Sequence, residues 1–112
     1  MMQNHDEIEW LLQEDVIPIV KKAAKKIKKL PGVIRIGYFG SFARNDQVPG
    51  SDLDIFIELE QDERRWIDRA ADFIDYFTRV PCAVEIFAFT KKEMSNKDNH
   101  LYQEILRGLV EL

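Results

Sequence analysis

The spacing of apolar residues changes along the chain, from a helical repeat before Gly32 to short strand-like runs after it. Between residues 16 and 30 apolar residues recur at helical spacing, and lysines occupy most of the other positions. This pattern predicts an amphipathic helix that has Asp15 as its N-cap and ends at Pro31-Gly32. Residues 7–12 are predicted to add a short helical turn in front of it.

Three later runs rich in β-branched and aromatic residues predict strands, and two amphipathic segments predict further helices. The link between the first two strands is too short for a crossover helix, so we predict that they pair antiparallel. The predicted fold class is α/β (α+β), a small mixed sheet flanked by helices. The strands are predicted at 33–39, 52–58 and 82–89, the helices at 62–77 and 98–107, with a short helix opening at 40–44 and an edge strand at 109–112.

Two further expectations concern the second and the last of these long helices. The helix at 62–77 is expected to bury one apolar stripe, and Gly108 is expected to follow the last helix as its C-terminal stop. The stripe consists of Trp66, Ile67, Ala70, Ala71, Ile74 and Phe77.

Composition and charge narrow the classes of protein that fit. With 112 residues, of which 46% are hydrophobic, the chain is predicted to form a single domain over residues 1–112. It has one cysteine, Cys82, no leader-like N-terminus and no apolar run of membrane-spanning length, so we expect a soluble cytoplasmic protein without a membrane association. A net charge of -4 argues against direct nucleic-acid binding, and the six lysines from Lys21 to Lys29 are interpreted as a solvated helix face.

Asp52 and Asp54 are unusual in the second predicted strand, because the strand is otherwise mostly apolar. Strand side chains alternate, so these two carboxylates stand on one face, about 6.5–7 Å apart along the chain. Like charges at that spacing repel unless a cation lies between them, and Mg²⁺ prefers such hard oxygen ligands. Taken alone, an Asp-x-Asp motif is short and common, and a solvent-exposed strand edge would then be the favoured explanation.

Glu85 stands alone in the third apolar strand. If the second and third strands are neighbours, Glu85 can face Asp52 and Asp54 across the sheet. Three converging acids are unfavourable without a metal, whereas two metal ions among them could clamp the oxygens of a phosphoryl displacement. The alternative for Glu85 is an ordinary exposed position.

Gly40-Ser41 lies at the end of the first strand, where a helix opens. A pair of this kind can present backbone N–H groups and a hydroxyl to a phosphate, and Ser41 is placed to cap the helix. An ordinary turn is the alternative. Arg44, one helical turn later, could contact a phosphate, hold an acid of the site or form a surface ion pair.

Together these segments resemble a known signature. Gly40-Ser41-Phe42-Ala43-Arg44, followed after a short loop by Ser51-Asp52-Leu53-Asp54, is similar to the motif of the DNA polymerase beta superfamily, and most similar to its minimal nucleotidyltransferase (MNT) branch. The resemblance covers nearly the whole chain. One position departs from it: the family usually has Gly after the Arg, and this chain has Asn45, a residue that tolerates a left-handed backbone.

The resemblance implies a polymerase-beta-type fold and a Mg²⁺-dependent nucleotidyl transfer from ATP or another nucleoside triphosphate. Asp52 and Asp54 would bind two Mg²⁺ ions, and Glu85 would join one ion and help to activate the acceptor hydroxyl. The acceptor oxygen would attack the α-phosphate and pyrophosphate would leave. The residues implied to contact the nucleotide are Gly40, Ser41, Arg44 and Ser51.

The resemblance also implies a partner. Minimal members are often paired with a small helical HEPN protein as antitoxin to its toxin, and some transfer AMP to that partner. Alternatives are a non-catalytic antitoxin that acts by contact, which Asn45 would favour, and a nucleotide-binding subunit of a larger enzyme. A homodimer is also plausible, because a small sheet with an edge strand gains from pairing.

Overall fold

A four-stranded sheet with helices on both faces makes up the part of the chain that the computed structural model describes, residues 13–48 and 50–112. The helical turn predicted before Gln13 lies outside these residues. The elements are α1 (Gln13–Ile27), β1 (Val33–Phe39), α2 (Ser41–Arg44), β2 (Leu53–Leu59), α3 (Trp66–Ala70), a 3₁₀ helix (Ile74–Phe77), β3 (Val84–Thr90), α4 (Lys91–Met94), α5 (His100–Gly108) and β4 (Val110–Glu111).

The strand order is β3-β2-β1-β4, and the sheet is mixed. β1 and β2 pair antiparallel, which confirms the prediction from their short link, whereas β2 and β3 pair parallel because the chain crosses over between them. β4 adds antiparallel to the free edge of β1, with Gly37 opposite Glu111. A Cβ at Gly37 would lie 2.5 Å from the carbonyl oxygen of Val110, so glycine is needed where β4 approaches.

The two faces of β2 belong to two separate apolar clusters. Leu53, Ile55 and Ile57 pack with the apolar side of α1. Phe56, on the other face, packs with residues of β3, α4 and α5, including Ile105. Because strand side chains alternate, Asp54 shares the face of Phe56. The acids of β2 therefore lie on the α5 side of the sheet, away from α1.

Several element boundaries differ from the prediction. α1 already includes Asp15, so this residue is not its N-cap, and β2 begins at Leu53, one residue after Asp52. α5 is capped by Asn99, whose Oδ1 accepts a hydrogen bond from the Tyr102 N–H at 3.1 Å. Gly108 is the last residue of α5 rather than the stop after it. The side-chain cap by Asn99 marks the start of α5, and apolar spacing does not reveal such a cap.

The single helix predicted at 62–77 is wrong, and its predicted stripe is buried only in part: Phe77 is buried and Ala70 packs against the core, whereas the other four residues are exposed. Two short helical segments, α3 and the 3₁₀ helix, replace it, and Trp66, Ile67 and Ile74 are 40%, 58% and 42% exposed. Trp66 instead stacks over Phe87 of β3, with ring centroids 5.9 Å apart. Arg69 is the residue that points inward, because backbone carbonyls and a carboxylate around it satisfy its guanidinium.

None of the helices in the described part of the chain is both long enough and apolar enough to cross a bilayer.

Candidate active site

Asp54 and Glu85 stand side by side on neighbouring strands. In the parallel pairing of β2 and β3 the partner of Asp54 is Glu85, and in the antiparallel pairing of β1 and β2 it is Phe39. The three residues therefore form a row across three strands. Asp52 immediately precedes β2 and is exposed. The sequence predicted that Glu85 can face the two aspartates if its strand lies next to theirs. The pairing of β3 with β2 meets this condition.

A cleft of about 680 Å³ opens over this row. All seven residues predicted for the site line it, and four residues that the sequence did not single out line it as well. The predicted residues are Gly40, Ser41, Arg44, Ser51, Asp52, Asp54 and Glu85; the additional ones are Phe39, Glu104, Arg107 and Gly108.

Asp54 is the carboxyl whose ionisation the cleft perturbs most clearly. Burial, followed by the negative charges of Glu85 and Asp52, raises its pKa to about 6, and the Arg44 guanidinium partly opposes this rise. A carboxylate that is both half-buried and surrounded by like charges is stabilised by any cation that binds between them. The site thus favours a positively charged ligand.

Gly40 allows the backbone to pack directly against the side chain of Asp54. Its φ is 75° and its ψ −148°, a conformation that residues with a Cβ rarely adopt. A Cβ built there would lie 2.5 Å from Asp54 Oδ2. Gly40 is also the N-cap of α2 and makes no side-chain capping hydrogen bond. The prediction that Ser41 caps the helix is therefore wrong: Ser41 is its first residue, half-exposed at the cleft.

Asn45 adopts a left-handed turn at the position where the resemblance leads us to expect glycine. It has φ 59° and ψ 36°, the left-handed conformation, and it ends α2. Its N–H donates to the carbonyl of Phe42. Asn supports this conformation at small cost, so the substitution leaves the loop after α2 intact.

Arg44 and Ser51 have local partners as well as places in the cleft. The Arg44 Nε donates to Asp46 Oδ2 at 3.1 Å, and both side chains are well exposed. The Ser51 Oγ accepts a hydrogen bond from the Val48 N–H at 2.9 Å and so holds the turn that leads into β2. The ion pair of Arg44, one of the alternatives that the sequence left open, is present, and it leaves the other guanidinium nitrogens for a ligand.

The acids fit a metal ion that a substrate completes, and not a cage made by the protein alone. Within residues 13–48 and 50–112, no group of three His, Cys, Asp or Glu side chains could hold a metal ion. Mg²⁺ is commonly bound by one or two carboxylates together with substrate phosphates and water. Asp52 and Asp54 supply such carboxylates, and Gly40 leaves the Asp54 oxygen uncovered.

Glu104 and Arg107 reach the cleft from α5, and sequence reasoning missed both. They stand three positions apart on a helix whose buried side carries Ile105. In the sequence such residues look like any solvated helix face. Only the packing of α5 over the sheet face that carries Asp54 brings them to the site.

Comparisons with known proteins show the family and the fold of the chain. Residues 20–108 match the family model described as a nucleotidyltransferase domain. A candidate protein adenylyltransferase of Methanocaldococcus jannaschii is 28% identical over 82 residues, which cover 73% of this chain and 81% of that protein. The crystal structure of a candidate nucleotidyltransferase from Sulfolobus solfataricus superposes with a TM-score of 0.63 at 18% identity, over 99% of this chain and 87% of the other. The structural match shows a shared fold.

Proposed function

The chain belongs to the nucleotidyltransferase domain family and is a nucleotidyltransferase. From that premise we propose that it transfers AMP from ATP to a hydroxyl group of a macromolecular acceptor, in a reaction that requires Mg²⁺. One observation carries the proposal: Asp54 and Glu85 are strand neighbours in a cleft that Gly40-Ser41 also lines. The name of the Methanocaldococcus jannaschii relative supports AMP as the group transferred and a protein as its acceptor. We place the reaction in the cytoplasm, where ATP is available.

Gly40 and Ser41 are proposed to hold the triphosphate. Gly40 and Ser41 both line the cleft, so their backbone N–H groups and the Ser41 hydroxyl are the proposed donors to phosphate oxygens. Ser51 and Arg44 line the same cleft and are proposed to orient the nucleotide beside them.

Asp52 and Asp54 are the proposed ligands of two Mg²⁺ ions, and Glu85 is proposed to join one of these ions and to help activate the acceptor hydroxyl. Two Mg²⁺ ions, when bound, would supply the positive charge that neutralises the carboxylates and the phosphate oxygens. The raised pKa of Asp54, about 6, is consistent with an acid whose ionised form depends on a bound cation.

The proposed reaction is an in-line displacement. The acceptor oxygen forms a bond to the α-phosphorus, and the bond from that phosphorus to the bridging oxygen of the β-phosphate breaks. Pyrophosphate leaves with the electron pair of the broken bond. Glu85 is exposed at the cleft and is proposed to accept the proton of the acceptor hydroxyl.

Two labelled forms of ATP test this proposal. The protein is incubated with Mg²⁺ and an extract of its source cell, with the label on the α-phosphate in one series and on the γ-phosphate in the other. We expect a labelled macromolecule in the α series only, lost in Asp54→Asn and retained in Glu63→Gln, an exposed acid outside the lining of the cleft. Label from the γ-phosphate alone, or none with the wild type, would contradict the proposal.

A HEPN-type helical protein is the acceptor that we propose, with this chain as its antitoxin. Co-expression of such a protein with the wild type should add one or more AMP units to its intact mass and remove its toxicity. Asp54→Asn should do neither. If both forms neutralise the toxin equally and no mass is added, the chain acts by binding alone, as a non-catalytic antitoxin would.

A further inference from the structure

Arg107 is a cleft cation without a side-chain partner among the described residues. Of these residues, four carboxylates line the cleft, those of Asp52, Asp54, Glu85 and Glu104, together with two guanidinium groups, those of Arg44 and Arg107. Arg44 is paired with Asp46. Arg107 forms no ion pair or hydrogen bond through its side chain with any residue of the described part of the chain, and Glu104, three positions earlier on the same helix, does not pair with it either.

The backbone of Arg107 is held firmly although its side chain is exposed. Ile105, two residues earlier, is fully buried under the sheet face with Phe56. Three residues later the chain enters the last strand, where Val110 pairs with Tyr38 of β1. The last turn of α5, where Arg107 lies, also favours a cation because of the helix dipole. The backbone that carries Arg107 is therefore fixed beside the cleft, which its side chain lines.

A triphosphate bound in this cleft would be stabilised by a cationic side chain. Four carboxylates repel the phosphates, and the amides of Gly40 and Ser41 donate hydrogen bonds but carry no net charge. A guanidinium can donate two parallel hydrogen bonds to phosphate oxygens and supplies the missing charge. The lysines of α1 cannot do so, because α1 packs on the other face of the sheet.

We propose that Arg107 binds the outer phosphates of the nucleoside triphosphate and so selects triphosphates as donors. This inference rests on the proposed function, because it assigns a residue to the donor of that reaction. The outer phosphates leave as pyrophosphate. In this assignment Arg107 therefore contacts the leaving group and not the acceptor oxygen.

Binding isotherms with two ligands test the assignment. The affinities of ATP and of inorganic tripolyphosphate, each with Mg²⁺, are measured for the wild type, Arg107→Gln and Arg79→Gln. Arg79 is an exposed arginine that lines a different hollow, between α1 and the 3₁₀ helix, so its variant matches the change in net charge. A thermal melt of each variant confirms that the fold is kept.

We expect Arg107→Gln to weaken both ligands by about ten- to a hundredfold, the range for a lost charge-assisted contact, and Arg79→Gln to change neither by more than about twofold. If only ATP is weakened, Arg107 contacts the nucleoside and the proposal is overturned. If neither ligand is weakened while the wild type still transfers AMP, this inference alone fails. If the wild type does not bind ATP, the proposed function fails with it.

Discussion

The charge of Asp54 is unfavourable for the stability of the metal-free fold, but the proposed metal site requires it. Asp54 lies half-buried next to Glu85 and close to Asp52, and these surroundings raise its pKa from 3.8 to about 6. Near neutral pH its charge is therefore kept at a cost to the folded state in the absence of metal. A charged residue that lowers the stability of the fold and lines a cleft is expected to be kept for its function.

Replacing this charge should stabilise the metal-free protein. Asp54→Asn removes the repulsion with Glu85 and Asp52, and because Asp54 is only half-buried we expect a gain of about 1 kcal/mol in the free energy of unfolding at pH 7.5. Urea unfolding in the presence of a chelator measures it, with Glu63→Gln as the exposed control. A loss of stability in Asp54→Asn would show that the carboxylate is held by unrecognised favourable contacts.

The same group predicts a pH dependence of defined sign. The folded-state pKa of Asp54, about 6, is above the value of 3.8 expected in the unfolded chain. The folded state thus binds the extra proton between these values, so its contribution to stability is greatest below about pH 4 and is lost as pH rises through 6. Subtracting the stability of Asp54→Asn from that of the wild type, both without metal, isolates this contribution. A difference that is constant from pH 4 to 7 would exclude it.

Gly40 is constrained twice, by its backbone and by its neighbour. Gly40→Ala places a methyl group at positive φ and against Asp54 Oδ2, and we expect a loss of about 1–3 kcal/mol in the free energy of unfolding. Gly108→Ala is the matched control, because a Cβ there meets nothing within 4 Å and the residue ends a helix. It should be neutral or stabilising by up to about 1 kcal/mol. Equal losses in the two variants would contradict the assignment.

At the scale of elements, Arg69 joins α3, the edge of the sheet and α4. Its guanidinium donates to the carbonyl of Ala88 at 3.1 Å, to the carbonyl of Asp62 at 2.9 Å and to Glu93 Oε1 at 2.7 Å. Glu93 in turn belongs to the capping box that Thr90 forms at the start of α4. One buried arginine therefore ties together the segment after β2, the edge strand β3 and the helix that follows it.

Loss of this arginine should unfold the protein more readily than loss of a surface arginine. Arg69→Met leaves buried carbonyls and the Glu93 carboxylate without their donor, so we expect a loss of about 3 kcal/mol or more. Arg65→Met, which removes an exposed pair with Asp68, should change stability by no more than about 0.5 kcal/mol. Denaturant titration of both variants measures the difference. If the two agree within error, the arginine does not tie these elements together.

Most elements could be predicted because their patterns are local. The helical repeat of α1 and the β-branched and aromatic runs of the three long strands can each be recognised within one short segment. The segment at 62–77 could not be predicted in this way. Its apolar spacing suggested one helix, but the decisive residue was Arg69, whose partners come from β3 and α4. A buried charge is predictable only when its partners are known.

At the scale of the whole molecule, the site is an assembly of segments distant in the chain. The junction of β1 and α2, the start of β2, the start of β3 and the end of α5 meet at one cleft. Motif spacing was enough to predict the first three, because a Gly-Ser turn and isolated acids stand out against apolar strands. The contribution of α5 required the sheet order and the direction of packing, so Glu104 and Arg107 became visible only in the structure.

The central claim is that the acids of this cleft perform nucleotidyl transfer. Its most direct test is the rate of AMP incorporation from α-labelled ATP by the purified protein with its acceptor and Mg²⁺, compared among the wild type, Asp54→Asn and Glu63→Gln. Asp54→Asn should lower the rate by about a thousandfold or more while the protein stays folded, and Glu63→Gln should match the wild type. Incorporation by Asp54→Asn at the wild-type rate would contradict the claim.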